Sequence, residues 1–133
     1  MNYRPKEFIE IEIDARWLDL NHACHAYDYA CKYIAKDRYG LNTTTVSQIS
    51  IHKITSDSIA GEWLSANFPK DGTVQIVFGR KEVCVIDTNC LISQWFDIFT
   101  PGRDDAVILH NTSKKIMFYC HEQEFEIGIR KNV

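Results

Sequence analysis

Histidine and cysteine are the side chains here best suited to chemistry, and they gather in three places. The first is His22-Ala23-Cys24-His25 with Cys31 further along. Imidazole and thiolate are the donors zinc prefers. On a helix at about 100° per residue, however, His22 lies roughly 160° around from Cys24 and His25 falls between them. A tetrahedral ion needs converging donors, so no metal ligand is assigned. The second place is Cys120-His121, the pairing of a nucleophile with its base. Neighbours on a strand project to opposite faces, so the two could not share a proton as nucleophilic catalysis requires. The third is Cys90. Behind a Thr88 cap it would sit in the first turn of a helix, where backbone N–H groups and the helix dipole lower a thiol pKa. Alternatively it fills a gap under Trp95. No Gly-x-Ser-x-Gly, His-Glu-x-x-His, P-loop or Gly-x-Gly-x-x-Gly pattern occurs, so the sequence offers no catalytic residue and no cofactor motif.

The elements that position these residues follow from periodicity. Residues 7–14 alternate Ile9, Ile11 and Ile13 against Glu10, Glu12 and Asp14, which predicts a half-buried strand. Residues 17–39 predict one long helix. Trp17, Leu20, Cys24, Tyr27, Cys31 and Ile34 share a face, Asp14, Asp19 or Asn21 is available as N-cap, and Gly40 stands as C-terminal glycine. Strands follow at 44–55 and 59–68, then a turn at 69–72 and a hairpin at 73–78 and 82–87. A short helix at 89–99 carries Leu91, Trp95 and Ile98 and closes at Pro101-Gly102. Strands at 106–110, 115–121 and 124–130 complete the chain. The order implies an α+β fold: an antiparallel sheet of about six to eight strands covered on one face by the long N-terminal helix and the short one.

With 133 residues the chain fits a single domain, 1–133. A net charge of −3, with no basic run longer than Lys114-Lys115 or Arg130-Lys131, argues against nucleic-acid binding. No apolar run reaches the length of a membrane span. Five cysteines are an odd number, and the N-terminal residues lack the apolar core of a signal peptide. Free thiols in a cytoplasmic protein are the expectation.

Two features suggest recognition. His22, Ala26, Tyr29 and Tyr33 form a second helical stripe, and exposed tyrosines are favoured where partners dock. Glu10 and Glu12 on the first strand, with Glu122, Glu124 and Glu126 at the last, would merge into one acidic surface if those strands are neighbours. Such a face steers a basic partner. A small acidic α+β chain without catalytic motifs resembles, in type, bacterial immunity proteins that neutralise toxin domains. That likeness implies a cytoplasmic protein-binding module that occludes a basic partner surface. Glu10, Glu12, His22, Tyr29, Tyr33, Glu124 and Glu126 are then its binding residues. The competing expectation is a small-molecule-binding or catalytic domain with an apolar pocket between a curved sheet and the long helix. Trp63, Trp95, Phe96, Phe99, Phe118 and Tyr119 would line that pocket, and His52, His110 or Asp87 would lie in it.

Overall fold

A computed structural model describes residues 4–132. Its C-terminal half follows the alternation of the sequence. Strands β3 (Thr73–Gly79) and β4 (Glu82–Asp87) form the expected hairpin, with Ile76 opposite Cys84. β5 (Ala106–His110), β6 (Lys115–Cys120) and β7 (Glu124–Arg130) form an antiparallel meander. Gln123 turns β6 into β7 in the left-handed region, φ 62°. A helix, here α4 (Thr88–Ile98), follows β4 directly and buries Leu91, Ile92, Trp95 and Ile98.

The first half departs from its expected elements in three places. Residues 7–14 do not form a strand. Helix α1 (Arg4–Glu10) occupies Arg4 to Glu10, with Pro5 in its first turn, where a missing N–H costs nothing. Glu12, φ 60°, ends the continuation. The isoleucine alternation therefore splits: Ile13 is buried, but Ile9 is 73% exposed. The long helix over 17–39 is also not formed. Arg16 and Trp17 make a two-residue strand β1 (Arg16–Trp17) on β4, and α2 (Leu20–Cys31) is twelve residues long, capped by Asp19, whose carboxylate accepts from His22 N–H. Beyond Lys32 the chain doubles back, with Ala35 N–H donating to Gly40 O and Asn42 N–H to Tyr33 O. Gly40 is not a helix-ending glycine. A Cβ there would collide with the Arg38 guanidinium and the Glu126 carboxylate, so the residue makes room for their ion pair. Finally, 59–68 is not a strand. Ser56 caps α3 (Asp57–Asn67) through Ile59 N–H, and Ala60 and Leu64, four apart, face the core.

With β2 (Val46–Lys53) paired to β7, the seven strands run β1-β4-β3-β5-β6-β7-β2, every pair antiparallel. β2 bulges between Ser47 and Ser50, with Gln48 at φ 53°. Gly128 lies under the bulge, where a Cβ would meet the Val46 side chain and, at 2.9 Å, the Ser47 carbonyl.

Helices cover both faces of the sheet rather than one. α1, α3 and α4 bury one side with Phe8, Leu64, Leu91, Trp95 and Phe99 against Ile76, Ile108, Tyr119 and Phe125. Among the described residues α2 is the one helix on the other, setting Ala23, Ala26 and Ala30 against Val77, Val83, Val107, Ile116 and Phe118, with Tyr33 and Leu41 packing beside it. This explains why Ala106 to His110 are buried without alternation: β5 is the central strand, and both its faces are covered.

Candidate functional site

Alanines at 23, 26 and 30 give α2 a flat underside that lies close to the sheet. Twelve residues span about 18 Å, whereas seven strands span about 29 Å. One short helix cannot cover that width, and where it ends the sheet face opens into a cleft of about 320 Å³. Tyr27, Ala30, Cys31 and Ile34 form its helix side, and Val77, Phe78, Val107 and Phe118 its sheet side. Lys36 and Asp105 are its charged groups, and Ile34, Ala35, Lys36, Asp105 and Phe118 also line an adjoining groove that Asp37, Arg38 and Tyr39 extend. The Tyr27 pKa is raised, first by a hydrogen bond with Cys31.

Asp105 also belongs to a polar cluster. Its Oδ1 accepts from His121 N–H and lies 2.9 Å from His121 Nδ1. This contact raises the His121 pKa. The expectation that Cys120 and His121 point apart fails, because β6 ends at Cys120 and His121 is already in the turn. Donor atoms of Asp105, Cys120 and His121 lie within 4.8 Å of one another. The Cys120 thiol is buried and its pKa is raised, chiefly by desolvation, which opposes a nucleophilic role. Cys90 is also corrected: burial and then Asp87 push its thiol up rather than down. The charge of Asp87, at the cap position, counts against a thiolate there. All five cysteines are free.

The expected acidic face is not assembled. Glu10 and Glu12 are exposed at the end of α1, a helix tied to the β4 side by the Arg4–Glu82 ion pair. Glu124 and Glu126 lie on β7, near the opposite edge of the sheet. Glu126 is only 1% exposed. It accepts from Arg38 at 2.7 Å and from Leu41 N–H at 2.9 Å, which anchors the 35–45 loop.

The tyrosine stripe is half as expected: Tyr33 is 3% exposed and Tyr29 38%. Tyr33 donates to Tyr29 Oη, as does Arg130 at 2.9 Å. Burial works to raise the Tyr29 pKa, but these two donors and the Arg130 charge outweigh it and lower it. Burial pushes Tyr33 up to about 12. Lys114, Arg130 and Lys131 line a hollow beside the pair, and Lys32 stands 5.6 Å from the Tyr29 ring, so this patch is basic. His22 is exposed and tied to Asp19, outside it.

The aromatic residues expected in a pocket mostly fill the three-helix core; Phe118 alone of them lines the cleft. His52 stacks on Trp63, and His110 is held by Ser113 and Asp71 O. Asp105 and Lys36, the polar groups that do line the cleft, carried no sequence signal. Among the described residues no helix is long and apolar enough to cross a membrane. Comparison of the chain with protein families, curated proteins and solved structures returns no match.

Proposed function

We propose that this protein is a binding domain for a small, largely apolar molecule seated between α2 and the sheet, with its polar group toward Lys36 and Asp105. The observation that carries this reading is the cleft: about 320 Å³ walled by apolar side chains with two charged groups among them. That combination of concave apolar surface and a few placed polar groups is what small-ligand sites share. The thiol, imidazole and carboxylate beside the cleft are not arranged as an activated nucleophile, so binding rather than covalent catalysis is the reading. The immunity-type alternative draws on a continuous acidic and tyrosine face. Here Glu126 is buried, and Tyr29 is surrounded by Lys32, Lys114 and Arg130. A partner docking at Tyr29 would therefore be acidic rather than basic.

The test uses the fluorescent probe anilinonaphthalene sulfonate on the folded full chain. Saturable binding of one probe per chain is expected. It should be lost in Val107→Phe, which fills the cleft, and bound probe should protect the exposed rim thiol Cys31 from alkylation. Binding that is unchanged in Val107→Phe, or that leaves Cys31 equally reactive, overturns the reading.

A further inference from the structure

We propose that Asp105, Cys120 and His121 form a binding site for a divalent transition-metal ion, with zinc the best match to one carboxylate, one thiolate and one imidazole. The site shares Asp105 with the cleft, but its test does not depend on what the cleft binds. The three residues arrive by different routes: Asp105 immediately precedes β5, Cys120 ends β6, and His121 opens the β6–β7 turn. One donor atom from each lies within 4.8 Å of the other two. Around a tetrahedral zinc ion such atoms stand about 3.3–3.8 Å apart. Closing onto an ion therefore brings the farthest donors about 1–1.5 Å closer together.

The backbone at the site is fixed independently of any ion. Gly102 N–H donates to His121 O, Gln123 N–H to Cys120 O and His121 N–H to Asp105 Oδ1, each at 2.9 Å. The Tyr39 ring meets His121 edge to face at 4.8 Å and limits where the imidazole can turn. Asp105 lies within 4.8 Å of the Cys120 sulfur, and Glu122 and Glu124 follow it in the chain, so carboxylates outnumber the nearby cations Lys36 and Arg38. The Asp105–His121 hydrogen bond accounts for two of the three residues. Cys120 packs in the core under α2, and its sulfur accepts from Glu122 N–H at 3.5 Å. In the bound state the ion takes the place of the proton on His121 Nδ1, the ring keeps its proton on Nε2, and the displaced proton passes to solvent with the thiol proton. Glu122 lies 3.9 Å from His121 Nε2, the ring nitrogen turned away from Asp105, so the fourth position on the ion falls to water.

Cobalt(II) is the probe, added to full-length protein first stripped with a chelator. A near-ultraviolet thiolate-to-cobalt charge-transfer band is expected, saturating at one ion per chain and bleached by zinc. The band should persist in Cys31→Ser and disappear in Cys120→Ser, while Asp105→Asn should weaken cobalt binding by about tenfold or more. Circular dichroism establishes that each variant is folded. If Cys120→Ser does not fold, His121→Gln, on the half-exposed turn, serves the same comparison and should weaken the band. No thiolate band at saturating cobalt overturns the site, as does a band that survives Cys120→Ser or is unchanged in His121→Gln. So does a band lost in Cys31→Ser.

Discussion

The two faces of the sheet are covered by different means. Three helices cover one face with large side chains, and its rings interlock: Phe99 stacks on Tyr119 at 4.6 Å, and Trp95 and Tyr119 both meet Phe125 edge-on. A single helix covers the other face, and what it sets against the sheet is alanine. Close packing over a large area gives stability, because each ring removes much apolar surface from water. Small side chains on one short helix give a close but narrow contact, and apolar surface beside it stays accessible. The same sheet thus carries a sealed core on one side and a cleft on the other.

Alkaline pH should erase the distinction and have the largest effect. Burial pushes Cys84 and Tyr119 on the sealed face and Tyr33 on the open face up to about 12, against ordinary values of 9.0 for the thiol and 10.0 for the phenols. Their folded pKa values lie above the unfolded ones. The stability they contribute is therefore present in full below about pH 9 and is lost as pH rises through about 12. Denaturant midpoints measured between those limits should fall steadily, and a flat profile would contradict it.

Truncation should separate the faces. Phe125→Ala, in the sealed core, should cost about 3–5 kcal/mol. Phe118→Ala, beside the cleft, opens onto space already present and should cost nearer ~3 kcal/mol, the low end for such changes. Equal losses in urea unfolding would mean the cleft is closed in solution. Glu126→Ala should follow at about 2 kcal/mol, mainly from the Leu41 N–H left without its acceptor. The Arg38 side chain is 41% exposed and can turn to water, so the full penalty of a stranded buried charge does not apply. The smallest effect belongs to Arg80→Ala, which removes the exposed Arg80–Asp28 pair and should cost less than about 1 kcal/mol.

How legible these faces were in the sequence differed along the chain. The hairpin of β3 and β4, helix α4 and the meander of β5 to β7 were readable, because turn residues and one clear period mark each of them. Two periods compete in the first half. Ile9, Ile11 and Ile13 alternate like a strand, yet Phe8 and Ile13 are the pair that reaches the core, and a helix with its following turn places them there. The 17–39 pattern was continuous because Tyr33 and Ile34, just after Lys32, are also apolar. They pack on the same face from a loop, which periodicity cannot distinguish from one more helical turn. In 59–68, Ser56-Asp57-Ser58 is equally a turn or a cap, and only the spacing of Ala60 and Leu64 favoured the helix. At the candidate sites, Tyr29 and Tyr33 were visible as a stripe, whereas the basic groups around them come from β7 and the turn before β6. Asp105 could not be distinguished from Asp104, its buried neighbour, which is held by Arg4 and Arg103. Which of two adjacent aspartates enters a core and which lines a cleft is decided by strand register.

The β2 bulge bears on how this chain behaves when crowded by copies of itself. β2 is the last strand of the sheet, and a long flat edge of this kind invites strand-to-strand pairing between molecules. With Gln48 in the left-handed region the eight-residue edge is broken near its middle. Exposed Ile51 stands in the four-residue run Ser50–Lys53 that remains in register with β7, a short template that ends at Lys53. The kink depends on a glycine in the neighbouring strand. A side chain at Gly128 should therefore displace the bulge and make this edge more prone to strand pairing between copies, from a position with no exposed side chain of its own.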